Sequence, residues 1–265
     1  MKWKSILLSA LVLLTACSVP STKQAPSPKA IPVIEYHGIS TTPLSASYAP
    51  FSVDLTHFRQ QMAYLHTEGY HSISPDQYVS WLDGKHVNLP AKPILITFDD
   101  GRYDSQLALP VLRHYHYRAV MFTVTGFADM ASHGNKAWES WHELTSDGWY
   151  LQFHAGALGH LTPNHPYYEY APLADSQKDI DNGVAEFTGR TGVVPQTWAV
   201  PNGAYTIPLL HWASSRFKVI WLEGHMPGHV LADKYHIRYR AEIANGSMES
   251  PNYFRSALRS PMYSR

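Results

Sequence analysis

From Ile31 onward, short runs of apolar and β-branched residues alternate with longer segments in which apolar residues recur every three to four positions. The short runs lie at 31–36, 93–98, 119–124, 150–154, 197–200 and 219–221, and their alternation with helical segments predicts βα units around a parallel sheet. Pro32 and Pro93 fall at strand starts, where a missing N–H is tolerated. Phe58, Met62 and Leu65 fall at i, i+4 and i+7, as do Ile180, Val184 and Phe187, so each segment predicts a helix with one core-facing stripe. Ser74-Pro75-Asp76-Gln77 and Ser140-Trp141-His142-Glu143 both have the form of a capping box that opens a helix. About six or seven βα units predict an α/β fold, a distorted or incomplete (β/α) barrel in a single catalytic domain, with function at the C-terminal ends of its strands.

The first residues follow a different pattern. Lys2 and Lys4 precede an apolar run at 6–14 that is too short to span a bilayer, and Leu14-Thr15-Ala16-Cys17 follows. Residues 1–16 therefore read as a signal peptide of lipoprotein type, similar to a bacterial lipobox, with Cys17 becoming a lipidated N-terminus. Residues 17–30, rich in Ser, Pro and Lys, read as a flexible tether, and residues 31–265 as the catalytic domain. This places the protein in the cell envelope, anchored through Cys17 on the extracytoplasmic side of a membrane. Cys17 is the single cysteine, so no internal disulfide can staple the fold.

Charge and composition narrow the partner. With 21 basic against 21 acidic residues, nothing in the overall field favours nucleic acid, and a neutral partner fits better. Aromatic residues at 13% suit stacking on sugar rings and equally suit a packed core, and 16 His raise the prior for metal or acid–base chemistry.

Three motifs sit where strands end. Thr97-Phe98-Asp99-Asp100-Gly101 places two carboxylates at the close of an apolar strand; neighbouring strand residues point to opposite sides, so a turn at Gly101 has to re-aim one of them. One carboxylate can then bind a cation while the other takes a proton from water, although Asp-Asp-Gly is also ordinary turn chemistry. His154 and His160 flank a loop containing Gly156 and Gly159, and two imidazoles with one Asp make a three-ligand set for a catalytic divalent metal. Pro201-Asn202-Gly203 follows a third strand and can aim backbone N–H groups at an oxyanion.

In their order along the chain, Tyr36-His37-Gly38, TFDDG at 97–101, the His154/His160 segment, Pro201-Asn202-Gly203 and His236-Ile237-Arg238 resemble the NodB-homology polysaccharide deacetylases, carbohydrate esterase family 4. The resemblance implies Asp99 as base, Asp100, His154 and His160 as ligands of a divalent metal (zinc first; cobalt, nickel or iron as others), and an oxyanion donor at Asn202. The two His are six positions apart where the family has four or five, and His165 is the alternate second ligand. Asn202 stands where the family has an aromatic residue, a change that leaves the backbone donor in place. The one Leu-x-His match, Leu209-Leu210-His211, looks helical. Without a late acid motif the chain resembles the branch acting on poly-N-acetylglucosamine of biofilms, and that resemblance implies His37 as proton donor and Arg238 as the residue holding the catalytic Asp. The function expected is N-deacetylation of N-acetylglucosamine units in a cell-surface glycan by a monomer. An O-deacetylase of acetylated xylan or another glycan ester, and a non-catalytic glycan-binding lipoprotein, are the alternatives.

Overall fold

The computed structural model describes residues 27–41, 49–128, 148–159, 166–223 and 236–259. The segments read as signal peptide and lipobox, most of the tether, the second capping box, His160 and His165 lie outside these residues. The strands are β1 (Val33–Tyr36), β2 (Gly38–Ser40), β3 (Ser52–Asp54), β4 (His71–Ser72), β5 (Pro93–Phe98), β6 (Ala119–Val124), β7 (Trp149–Ala155), β8 (Thr197–Ala199), β9 (Val219–Glu223) and β10 (Ile237–Glu242). The longer helices are α1 (Leu55–Thr67), α2 (Pro75–Leu82), α3 (Leu109–His114), α4 (Leu173–Thr191), α5 (Ile207–Ala213) and α6 (Pro251–Ala257), and single helical turns occur at Thr125–Ala128 and Tyr167–Tyr170.

Seven parallel strands close into a barrel in the order β1-β10-β9-β8-β7-β6-β5, and β5 pairs back onto β1. The expected barrel is therefore present with seven strands in its ring. The two-residue strand β4 pairs with the start of β5, and β2 pairs with β3 as a separate parallel ribbon. At the closing seam Val33, Ile34, Glu35 and Tyr36 stand opposite Leu95, Ile96, Thr97 and Phe98. This register sets His37 beside Asp99, whose N–H donates to the Tyr36 carbonyl at 2.9 Å.

The predicted strands at 93–98 and 119–124 match β5 and β6 residue for residue, because both are buried throughout and apolar but for one threonine each. β10 escaped the sequence reading. It carries Arg at 238 and 240, and a strand with charge on one side reads as surface until something inside the barrel is found to hold it. The helical stripes behave as expected, with Phe58, Met62 and Leu65 of α1 and Ile180 and Phe187 of α4 buried against the strands. Trp81, Trp149, Trp198 and Trp221 are fully buried, so much of the aromatic content is core.

α2 opens as the sequence requires. The Ser74 hydroxyl accepts from the Gln77 N–H at 3.1 Å, the Gln77 side chain accepts from the Ser74 N–H at 2.9 Å, and Pro75 occupies the first helical position. Ser74→Ala removes an N-cap worth about 1 kcal/mol; chemical denaturation should show that loss as a lower midpoint with an unchanged slope.

Candidate active site

The two carboxylates of the Asp pair leave β5 in different directions. Asp100 itself adopts φ 69° and Gly101 φ 71°, so the left-handed turn begins one residue earlier than the expected hinge at Gly101. The left-handed region is uncommon for a residue with a Cβ, though Asp and Asn tolerate it best, and it is the backbone feature that turns Asp100 out of the strand. Asp99 stays fully buried inside the barrel mouth.

Inside, Asp99 meets a guanidinium. Arg240 Nη1 donates to Oδ1 at 2.6 Å and Nη2 to Oδ2 at 2.7 Å, a bidentate fork between two groups with no solvent exposure. Arg240 Nη1 also reaches the Thr97 hydroxyl at 3.3 Å, and Nε lies 3.3 Å from Glu35 Oε2. Burial alone would raise the Asp99 pKa, but the charge of Arg240, the nearby His154 and the fork itself hold it below the usual carboxylate value. The same carboxylates keep Arg240 charged despite its burial.

This corrects the expectation for Arg238. Both arginines lie on one side of β10, because side chains two apart share a face, but two residues along a strand is about 6.6 Å. Arg238 pairs in register with Trp221, its guanidinium donates to the Ile237 carbonyl at 2.7 Å, and it sits lower in the barrel near Tyr78. Arg240, in register with Glu223 near the top, is the one that reaches Asp99.

Asp100 faces His154 across the mouth. His154 is buried at the end of β7, with Nε2 3.4 Å from Asp100 Oδ1. Its Nδ1 is 2.8 Å from the Ala199 carbonyl of β8, which can only accept, so Nδ1 carries a proton, and a neutral imidazole then turns its Nε2 lone pair to the carboxylate. Two lone-pair donors facing each other repel unless a proton or a metal ion lies between them. For a tetrahedral ion with bonds of about 2.0–2.1 Å, adjacent ligand atoms stand about 3.3 Å apart, so the observed spacing fits a shared divalent metal. Asp100 and His154 thus fit two of the three expected ligands; the third, His160 or His165, lies outside the described residues.

The loop after His154 is fastened to α4. Asp179 Oδ1 accepts from Leu158 N–H at 3.0 Å, and its Oδ2 accepts from Gly159 N–H at 3.2 Å and from the Tyr168 hydroxyl at 2.7 Å. A Cβ on Gly156 would lie 2.4 Å from the Asp179 carbonyl, and one on Gly159 2.4 Å from the Tyr168 ring, so the two glycines permit this close seat. Asp179 precedes the Ile180, Val184 and Phe187 stripe in the sequence, and its role went unread.

His37 is buried beside the Asp99 carboxylate, with its ring 5.6 Å from Phe51. Glu35, two residues back, is fully buried and was not foreseen, since Val33-Ile34-Glu35-Tyr36 reads as a core strand with one polar interruption. Glu35, His37, Asp99 and Glu223 place ligand atoms within 4.8 Å of one another. Arg240 already supplies positive charge among them and forks onto both Asp99 oxygens, so the guanidinium, and not a metal ion, balances the charge of this group in the structure. Asn202, exposed and with φ 55°, sits in the turn Pro201–Gly203 directly after β8. Gly203 and Ala204 N–H groups close that turn onto Val200 and Pro201, leaving the Asn202 amide outside those two bonds. Leu209-Leu210-His211 lies within α5, as its pattern suggested.

The polysaccharide deacetylase family model matches residues 86–215, the stretch holding TFDDG, His154 and the Pro201 turn. YxkH of Bacillus subtilis (strain 168), a polysaccharide deacetylase by name, is 30% identical over 158 residues, covering 58% of this chain and 53% of its own; the chain thus spans about half the length of this curated relative. The barrel superposes on the Streptococcus pyogenes deacetylase PplD in complex with acetate with TM-score 0.73 and 23% identity, over 87% of this chain and 99% of that one. A de-N-acetylase from Aggregatibacter actinomycetemcomitans gives TM-score 0.69 at 18% identity, over 86% and 100%. These likenesses establish the NodB-type barrel.

Removing one partner of a buried ion pair leaves an uncompensated charge and costs about 3–5 kcal/mol. Arg240→Met should therefore lose stability in that range by urea denaturation, at least twice the loss for Arg238→Met. Equal losses would return Arg238 to the central role.

Proposed function

We propose that this protein is a metal-dependent hydrolase that removes N-acetyl groups from N-acetylglucosamine units of a cell-surface polysaccharide, poly-N-acetylglucosamine first. The observation that carries this reading is the pairing of Asp100 Oδ1 with His154 Nε2 at 3.4 Å beside a carboxylate, Asp99, held separately by Arg240. Ligand and base are thereby distinct groups on one turn. The amide is placed before the ester because a solved de-N-acetylase shares the fold.

When bound, a divalent metal (zinc, or cobalt, nickel or iron) supplies the Lewis acidity that polarises the acetyl carbonyl and acidifies water. Asp100 and His154 would hold it, with His160 as third ligand. Asp99 accepts the proton of the attacking water; each of its oxygens keeps a second lone pair beyond the one Arg240 occupies. Arg240 fixes the plane of that carboxylate and keeps it ionised. The Asn202 N–H donates to the oxyanion that forms on the acetyl oxygen. His37 gives a proton to the leaving nitrogen, and acetate and a free amine result. The enzyme works as a monomer, held at the envelope through a lipid on Cys17.

Acetate release from poly-N-acetylglucosamine, chitin oligomers, peptidoglycan and acetyl-xylan, with and without a chelator, tests the reading. Turnover should be greatest on the first and lost with the chelator, and resistance to chelation would count against it. General acid–base groups contribute about 10²–10⁴-fold. Asp99→Asn should therefore lower turnover by about that factor with metal content unchanged.

A further inference from the structure

Glu35 has no part in the chemistry just described, yet it lies under it. It is fully buried on β1, its Oε1 is 3.9 Å from His37 Nε2, and its Oε2 is 3.3 Å from Arg240 Nε. The groups facing it are Arg240 and Glu242 of β10, Asp99 after β5, Glu223 of β9 and Tyr253 of α6, together with His37 on its own strand's exit. Among these neighbours the guanidinium is the one permanent cation, and its fork is taken by Asp99. A second ionised carboxylate at Glu35 has only the Nε edge left to it. Buried charge that is not fully paired is expensive, and a carboxyl in this position relieves the cost by keeping a proton.

We propose that Glu35 and His37 form a two-residue proton donor, with one proton held between Glu35 Oε1 and His37 Nε2 and delivered through the imidazole to the leaving amine. The inference rests on the reading of His37 as donor. The 3.9 Å gap is about 1 Å longer than a direct hydrogen bond, and a small rotation of either side chain closes it. During cleavage the electron pair of the C–N bond stays on nitrogen, which takes a proton from His37. Glu35 then returns its proton to the imidazole and is left as a carboxylate, which Arg240 Nε stabilises, and the pair recovers its proton from solvent. Burial pushes Glu35 well above the usual glutamate value against the pull of Arg240, and Asp99, Glu223 and Glu242 push the same way. The donor pair therefore remains loaded at a pH where an ordinary glutamate is empty.

The sign of the effect follows. While Glu35 can hold or share the proton, the donor form persists to higher pH; with an amide in its place, that reserve is gone. In Glu35→Gln the alkaline limb of kcat/KM for acetate release should move to lower pH by about one unit, the size of shift a lost charge partner produces. The limb at acid pH should stay in place. On the metal-free protein, infrared difference spectra at neutral pH should show a protonated-carboxyl band that Glu35→Gln removes. Should Glu35→Gln fail to fold, Glu35→Met, an apolar side chain of similar length, takes its place in both measurements. A wild-type protein with no protonated-carboxyl band at neutral pH overturns the proposal without any variant. His37→Gln separates the two levels of the claim. Full activity there removes the donor reading and this inference with it. An inactive, folded His37→Gln beside a Glu35→Gln profile that superimposes on wild type overturns the inference alone.

Discussion

The bond between Arg240 and Asp99 ties the closing of the barrel to its chemistry. β10 inserts between β9 and β1, and from that slot Arg240 reaches past β1 to the carboxylate at the end of β5. Guanidinium and carboxylate are both without solvent exposure, so neither tolerates the loss of the other. A chain in which β10 failed to dock would leave Asp99 buried and unpaired at the top of β5. The site is therefore complete only when the last strand is in place, and part of what stabilises that strand is the site. Arg suits the task where Lys would not, because its planar fork engages both oxygens and still leaves Nε for Glu35.

Around that bond, two adjacent carboxylates acquire different work from geometry alone. Asp99 continues the inward direction of the strand and meets the guanidinium. Asp100, turned by its left-handed backbone, comes out beside His154. The imidazole is oriented in turn by a carbonyl from the next strand, Ala199 of β8, and Trp198 Nε1 donates to the His154 carbonyl at 2.7 Å. The imidazole is thus fixed by the strand beside its own, and Asp99 by a strand one further round the closed ring.

Much of this was legible in the residues. The motifs TFDDG, His154 and Pro201-Asn202-Gly203 all fall at strand ends on one side of the barrel, and β5 and β6 could be read directly, since a six-residue apolar run rich in β-branched residues is too short for a buried helix. The interior polar residues were harder. Pattern reading takes a charged residue in a strand as facing solvent, and Glu35, Arg240 and Glu223 break that rule together because they answer one another. Arg238 and Arg240 have the same parity in the same strand, so sequence alone could not tell which stands level with Asp99; that depends on barrel register. Asp179 was hidden for a related reason, its partners being backbone N–H groups of a distant loop.

The most direct test of the central claim, that Asp100 and His154 share a cation while Asp99 is held apart from it by Arg240, is anomalous X-ray diffraction at the zinc edge from crystals of the zinc-loaded protein. The account predicts one peak about 2.0–2.2 Å from both His154 Nε2 and Asp100 Oδ1, with the Asp99–Arg240 fork intact. A peak among Glu35, His37, Asp99 and Glu223, or a metal ligated by Asp99 with Arg240 displaced, would contradict it.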